Sequence, residues 1–143
     1  MKRLLVVEDG TEYAEFARLF LSGWEIVATR SGADAIASVA ARPVDAMLLD
    51  LRFERADPST LLGDVAATAA RLFAGDRERA VRHLAEQQGT LVLAALRAVG
   101  CDAPAVFVHD FPPRRLENLR RMYGRVGAVP SFDAVAIAQA LSG

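Results

Sequence analysis

Two short apolar runs in this sequence each end in acidic residues. Residues 4–7 lead into Glu8 and Asp9, and the mostly apolar residues 44–49 lead into Asp50. Apolar runs of this length are typical of central strands in a parallel sheet, where ligands bind beyond the carboxyl ends of the strands. Clustered carboxylate oxygens form the type of ligand set that suits Mg²⁺. The sequence therefore predicts a Mg²⁺ site at one sheet edge formed by Glu8, Asp9 and Asp50, with Asp50 carrying the chemistry.

A structural interpretation of the same acids stays open at this point. Asp50 would then only cap a loop after a core strand, and Glu8 and Asp9 would point into solvent from a turn. The two interpretations differ in whether the three carboxylates converge. Converging carboxylates repel one another unless a divalent ion or a buried cation offsets their charge. Convergence in turn depends on the order of the strands in the sheet.

Predicted strands and helices alternate in a series that would position these acids. The predicted order is strand 4–7, helix 13–21 after a cap at Thr11, strand 24–29, helix 33–41 and strand 44–49. Apolar residues at helical spacing indicate the helices, and apolar runs or alternation indicate the strands. Short connections between such elements predict right-handed crossovers and a parallel sheet with helices on both faces.

Length and composition limit the classes of protein that this chain can represent. Its 143 residues suit one domain over residues 1–143. The 17 basic and 18 acidic side chains nearly balance, which argues against binding to nucleic acid or to a membrane surface. Cys101 is the single cysteine, so no internal disulfide can form. Because the sequence contains neither a signal-peptide pattern nor an apolar span of membrane length, we expect a cytoplasmic protein.

Several segments match a known family in both residue type and order. They are residues 4–9 with the acidic pair, 32–36 after the second strand, 43–45, 48–51 around Asp50, and 89–108 in the second half. On these residues the chain resembles the receiver domain of response regulators, the phosphoacceptor module of two-component signalling. The resemblance implies a flavodoxin-like (CheY-like) α/β fold, with a five-stranded parallel sheet in the order 2-1-3-4-5 and helices on both faces.

The resemblance also implies a role for each acid. Glu8 and Asp9 would hold Mg²⁺ beside Asp50, which would accept a phosphoryl group from a partner histidine kinase. A carboxylate is a competent nucleophile toward phosphorus once a metal ion neutralises the phosphoryl oxygens, and the added charge can bias a bistable surface. Apart from self-dephosphorylation, no enzymatic activity is expected. A hydrolase of the haloacid-dehalogenase type needs a second Asp two residues after the first, where this chain has Arg52.

The chain departs from the family pattern at three positions around Asp50. His109 stands where the family has Thr or Ser, and Val129 and Pro130 stand where it has Lys and Pro. No aromatic switch residue is found on the fifth strand, where Val126 or a neighbour falls. An imidazole can pair with a phosphate but cannot act as a small hydroxyl rotor. These departures predict a divergent receiver or a pseudo-receiver.

Arginines near these positions are candidates to replace the missing cation. They are Arg52, Arg55, Arg114 and Arg115. The guanidinium group is well suited to phosphate, although solvated surface arginines are the alternative interpretation. Further arginines lie on and around a helix predicted at residues 116–122, namely Arg120, Arg121 and Arg125. The balanced net charge makes a protein partner a better hypothesis for this helix than nucleic acid.

An insertion separates the two halves of the chain. Between Asp50 and Gly89 lie 38 residues, more than a strand-to-helix connection normally contains. We predict a helical insertion over residues 53–88, with one apolar stripe formed by Leu61, Leu62, Val65, Ala69, Leu72 and Phe73. From Arg77 the pattern favours one long helix that continues through Gly89 to Leu96. The insertion is interpreted as a lid, as a docking surface, or as added packing.

Two hypotheses of function remain from the sequence. The first is a receiver-like signalling protein, atypical and acting through protein–protein interaction, with Asp50 as candidate phosphoacceptor. The second is a pseudo-receiver that works as an interaction module without phosphorylation. A histidine kinase or another signalling protein is the expected partner. A homodimer would form through the insertion or through the face made by the helix at residues 116–122, the fifth strand and a last helix that begins near Asp133.

Overall fold

Five parallel strands form the single sheet of the computed structural model, which describes residues 1–143. The strands are β1 Lys2–Val7, β2 Trp24–Thr29, β3 Ala46–Leu49, β4 Ala105–Val108 and β5 Val126–Val129. Their order is β2-β1-β3-β4-β5 and every neighbouring pair is parallel, which confirms the predicted sheet. Because β1 and β3 are neighbours, the two strands that precede the acidic residues end side by side.

Seven α-helices surround this sheet. They are α1 Glu12–Phe20, α2 Gly32–Ala41, α3 Val65–Leu72, α4 Arg77–Glu86, α5 Gln88–Ala98, α6 Pro113–Tyr123 and α7 Ala134–Leu141. Buried residues of α1 and α7 pack on one face of the sheet, and those of α2, α5 and α6 pack on the other. The chain therefore has the predicted arrangement of helices on both faces.

Alternation along the central strands explains why both faces carry helices. In β1, Leu5 and Val7 belong to one core cluster, whereas Leu4 and Val6 belong to the other, and all four are fully buried. Successive side chains of a strand point to opposite faces of the sheet. A strand that is apolar at every position is therefore stable only between two layers, where each buried aliphatic side chain contributes about 1.5–3 kcal/mol.

The segment from residue 53 to residue 88 holds two helices that pack against each other. A short 3-10 turn at Pro58–Thr60 leads into α3 and α4, whose first turns are capped by Asp64 and Asp76. The predicted single long helix from Arg77 to Leu96 is wrong, because α4 ends at Glu86 and α5 begins at Gln88.

Two backbone hydrogen bonds explain the break between α4 and α5. The N–H of Phe53 donates to the carbonyl of Ala85 at 2.8 Å, and the N–H of Gly89 donates to the carbonyl of Leu51 at 2.8 Å. In a continuous helix the N–H of Gly89 would donate to the carbonyl of Ala85. The loop after β3 therefore takes over both partners and interrupts the helix.

The apolar residues of the helical segments are buried unevenly. Within the predicted stripe, Ala69 is buried, whereas Leu72 is 48% exposed. In α7, Ile137 and Leu141 are buried, whereas Val135 is 68% exposed. No helix of this chain combines the length and the apolar character needed to cross a lipid bilayer.

Candidate functional site

The carboxyl ends of β1, β3 and β4 bring the predicted site residues to one edge of the sheet. Val7 pairs with Leu49, and Leu49 pairs with Phe107. The residues that follow these pairs are Glu8 and Asp9 after β1, Asp50 after β3, and His109 after β4. Parallel pairing thus brings the three acidic residues to one edge of the sheet, as the functional interpretation requires, and the side-chain contacts then decide whether their carboxylates group together.

Glu8 is buried, and helix α1 uses both of its carboxylate oxygens. Oε1 accepts from the backbone N–H of Tyr13 at 3.0 Å, and Oε2 accepts from that of Ala14 at 2.9 Å. Thr11, predicted to cap this helix, makes no side-chain cap bond, so Glu8 takes that role instead. Free backbone N–H groups and the helix dipole favour a carboxylate at this position.

Asp9 is also withdrawn from solvent, and Arg55 binds both of its oxygens. Its side chain is 3% exposed. The backbone N–H of Arg55 donates to Oδ2 at 2.8 Å, and Nη2 of Arg55 donates to Oδ1 at 3.2 Å. The same guanidinium binds Glu12 at two points, which lowers the pKa of Glu12 to about 2 and raises the pKa of Arg55.

Asp50 is the least compensated of the three acids. Oδ1 accepts from the backbone N–H of Arg52 at 3.3 Å and lies 3.5 Å from the hydroxyl of Tyr13. Burial raises the pKa of Asp50 to about 7; the hydrogen bond from Arg52 opposes the shift, and the charges of Asp9 and Glu8 add to it. Near neutral pH the carboxyl is therefore held between its two protonation states.

His109 lies at the same edge but forms no hydrogen bond to Asp50. Its ring packs edge-on against Phe111 with the centroids 4.6 Å apart, and the guanidinium carbon of Arg115 lies 5.0 Å from the centroid of Phe111. Burial lowers the pKa of His109, and the positive charges of Arg52 and Arg115 lower it further. The surroundings of His109 are thus cationic, and they favour the neutral form of its imidazole.

No lysine lies at this edge of the sheet. Val129 is buried at the end of β5, and the exposed Pro130 follows it. Lys2 is the only lysine of the chain. It lies at the opposite edge, with Nζ 5.6 Å from the ring centroid of Trp24.

The acidic residues do not form a metal-binding group in this arrangement. No set of three or more His, Cys, Asp or Glu side chains is placed to hold an ion. Glu8 has both oxygens on helix amides, and Asp9 has both on Arg55. Only Asp50 retains a carboxylate oxygen that accepts no hydrogen bond. Mg²⁺ needs ligand oxygens that face it in near-octahedral geometry, and the oxygens of Glu8 and Asp9 face other partners. The side chains present therefore do not fit Mg²⁺.

Sequence reasoning missed one residue of the site and left another undecided. The sequence places Tyr13 only in the predicted helix at residues 13–21, but its hydroxyl lies beside Asp50 and 3.3 Å from the carbonyl of Val108. A polar group on an otherwise apolar face, five residues after Glu8, was the available signal. Arg55 was one of four candidate cations, and it is the one that binds an acid of the site.

The chain is similar to solved receiver domains over nearly its whole length. No protein-family model and no curated protein matches it. A receiver domain from Clostridium thermocellum aligns with TM-score 0.64 and 9% identity, covering 99% of this chain and 92% of its own. The chemotaxis protein CheY4 of Vibrio cholerae aligns with TM-score 0.63 and 15% identity, covering 99% and 97%. A sensor protein from Polaromonas sp. JS666 aligns with TM-score 0.64 and 20% identity, covering 99% and 93%.

Proposed function

We propose that this chain is an atypical signalling protein that uses the receiver fold to bind another protein of a two-component pathway. A histidine kinase or a further signalling protein is the partner class. In this proposal the output comes from protein contacts and does not require a phosphoryl group on Asp50. The similarity to receiver domains supports the pathway, and the charges around Asp50 support the mode of action.

The location of the only lysine carries the proposal. Phosphorylation converts a carboxylate with one negative charge into an acyl phosphate with up to two, and nearby cations must offset that charge. Lys2 lies at the far edge of the sheet, and Val129 and Pro130 occupy the place where the family has its Lys-Pro pair. With His109 in place of a small hydroxyl, no side chain remains that could report a phosphoryl group in the usual manner.

A second candidate function keeps Asp50 as a phosphoacceptor. The observation in its favour is the position of Asp50 directly after β3 at the carboxyl edge, where the residue is only half-buried. In that case Arg52 and Arg115, which lie near enough to His109 to lower its pKa, would contact the phosphoryl oxygens.

One pair of experiments distinguishes the two functions. A small phosphodonor with Mg²⁺ is added to the protein, and its intact mass is measured beside that of Asp50→Asn. We expect no phosphoryl adduct on the wild type. An adduct that Asp50→Asn abolishes would support the second candidate and contradict the first.

The genetic arm tests the output directly. In the organism that carries this gene, alleles encoding Asp50→Asn and Asp50→Ala replace the wild-type copy, and their phenotype is compared with that of a deletion. The proposed function predicts that both alleles behave as wild type. An allele with the phenotype of the deletion, at normal protein level, would show that the carboxylate itself is needed.

The partner is proposed to bind either at α6, β5 and α7 or at the insertion. On α6, Arg121 is exposed and pairs only with Glu117, whereas Leu72 is the exposed apolar residue of the insertion. The variants Arg121→Glu and Leu72→Ser therefore perturb one surface each without touching the core. Loss of the wild-type phenotype in only one of them would assign the binding surface.

A further inference from the structure

A single arginine from the start of the insertion lies over the acidic turn between β1 and α1. The two terminal nitrogens of Arg55 donate to the two carboxylate oxygens of Glu12, both at 2.8 Å. Nη2 also donates to Oδ1 of Asp9 at 3.2 Å, and the backbone N–H of Arg55 donates to Oδ2 of Asp9 at 2.8 Å. One residue thus binds every carboxylate oxygen of this pair of acids.

Burial makes a cation necessary at this place. The Asp9 side chain is 3% exposed, and a carboxylate so withdrawn from water is costly unless it is paired and hydrogen-bonded. A guanidinium is weakly hydrated and presents a planar fork that matches carboxylate geometry. Mg²⁺ gives up its water reluctantly and needs oxygen atoms that are free to face it. In this chain the oxygens of Asp9 face Arg55 instead.

The turn is shaped to admit the guanidinium. A Cβ at Gly10 would lie 2.9 Å from Cζ of Arg55 and 2.6 Å from a carboxylate oxygen of Glu12. Both approaches are closer than real Cβ atoms show, so a side chain at this position would push the guanidinium away. The absence of a side chain at Gly10 therefore leaves the space that the guanidinium of Arg55 occupies.

We propose that Arg55 is the resident cation of this site, and that its guanidinium, held by Asp9 and Glu12, takes the place of the divalent ion that the acidic residues would otherwise bind. The inference rests on the proposed function in that both describe a site that works without phosphoryl transfer. The role of Arg55 concerns which cation occupies the acidic turn, whereas the proposed function concerns the output of the protein.

A metal titration of the full chain tests the inference. MgCl₂ is added to the wild type and to Arg55→Gln, and the backbone amide resonances of Gly10 and Leu51 are followed by NMR. The wild type should show no saturable shift. In Arg55→Gln the guanidinium no longer binds Oδ1 of Asp9, so Mg²⁺ should bind saturably, at least about tenfold more tightly than to the wild type.

Arg52→Gln is the matched control for the loss of one positive charge. Arg52 is 59% exposed and Arg55 is 58% exposed, but Arg52 pairs only with Glu54, at 3.8 Å. The control should therefore bind Mg²⁺ no better than the wild type. Tight binding to the control as well would mean that any lost positive charge admits the ion, and it would overturn the specific role of Arg55.

Gly10→Ala provides a second route to the same state if Arg55→Gln fails to fold. It keeps the arginine in the chain but displaces the guanidinium from its position against Asp9 and Glu12, so it should gain Mg²⁺ binding too. Wild-type protein that binds Mg²⁺ as tightly as these variants would overturn the inference. Folded variants that bind no Mg²⁺ would overturn it equally, because Arg55 would then not be what keeps the ion out.

The outcome is independent of the phosphorylation assay. Wild-type protein that binds Mg²⁺ but accepts no phosphoryl group would contradict the role of Arg55 and leave the proposed function intact. Wild-type protein that excludes Mg²⁺ but is phosphorylated on Asp50 would contradict the proposed function and leave the role of Arg55 intact.

Discussion

The hydroxyl oxygen of Tyr13 lies 3.5 Å from Oδ1 of Asp50 and 3.3 Å from the carbonyl oxygen of Val108. It therefore links the carboxyl ends of β3 and β4 across the candidate site. A hydroxyl has a single proton to donate, so it can satisfy only one of these acceptors at a time. Burial and the charge of Asp50 raise the pKa of Tyr13, so it remains a donor over the accessible pH range.

Tyr13→Phe should destabilise the fold modestly by removing this donor. The expected loss is about 1 kcal/mol in the free energy of unfolding, the usual net value of one intramolecular hydrogen bond. Urea denaturation followed by circular dichroism measures it. Tyr123→Phe is the control, since the hydroxyl of the only other tyrosine forms no hydrogen bond. Equal losses in the two variants would contradict a role for the Tyr13 hydroxyl.

Asp50→Asn should stabilise the protein at high pH but not at low pH. Burial raises the pKa of Asp50 from 3.8 to about 7 in the folded chain. Between these values the unfolded chain loses its proton while the folded chain keeps it, so wild-type stability falls as the pH rises. Above about pH 7 the full penalty is present, about 1–3 kcal/mol after allowance for the partial exposure of the carboxyl group.

Urea denaturation at several pH values checks this dependence. The stability of Asp50→Asn should exceed that of the wild type above neutrality, and the difference should shrink to nothing near pH 4. Asp110→Asn is the control, since it removes an exposed carboxyl that forms no hydrogen bond in this site. A constant difference across the pH range would mean that Asp50 does not titrate as its burial implies.

Most of the fold follows from local sequence, because its central strands are buried on both faces. Residues 4–7 and 46–49 have to be apolar at every position, and that requirement makes them visible without any knowledge of the fold. The long helix from Arg77 was predicted wrongly for the opposite reason. Its break depends on the N–H of Phe53, which reaches Ala85 from a loop 32 residues earlier in the chain.

The site was predictable in its residues but not in their contacts. Glu8, Asp9 and Asp50 do meet at one edge, as parallel pairing requires. Thr11 and Glu8 are both local acceptors that can cap α1, and sequence spacing does not decide between them. The bond from Arg55 to Asp9 spans 46 residues, and the sequence offers Arg55 only as one of four cations for a phosphoryl group.

Gln88→Met should destabilise the loop around Leu62, which the first residue of α5 holds in place. The Gln88 side chain is fully buried; its Oε1 accepts from the N–H of Leu62 at 2.6 Å, and its Nε2 donates to the carbonyl of Leu62 at 3.2 Å and to that of Leu84 at 3.1 Å. Methionine fills the volume but leaves these groups without partners, at a cost of about 2–3 kcal/mol. Limited proteolysis should then cut near Leu62.

Gln139→Met is the control, because Gln139 is exposed on α7. It should change neither the stability nor the digestion pattern. If Gln88→Met were as stable and as protease-resistant as the wild type, the hydrogen bonds of Gln88 would not be what holds the loop around Leu62. Cleavage near Leu62 in the wild type itself would favour the hypothesis that the insertion is a mobile lid.

Gly89→Ala should disturb the candidate site through the backbone. A Cβ at Gly89 would collide with the carbonyl oxygen of Asp50 and lie 2.8 Å from Cα of Leu51. These are main-chain atoms that cannot rotate away, and the N–H of Gly89 is held 2.8 Å from the carbonyl of Leu51. The variant must push α5 away from the end of β3, at a cost of about 2–4 kcal/mol.

Gly127→Ala is the matched control, since its Cβ would lie 3.8 Å from the side chain of Ala140, an ordinary contact. Thermal unfolding and the amide resonances of Asp50 and Leu51 are compared in the two variants. We expect a large loss of stability and shifted resonances for Gly89→Ala, and little change for Gly127→Ala. Unchanged Asp50 and Leu51 resonances in Gly89→Ala would mean that α5 does not set the position of the candidate residue.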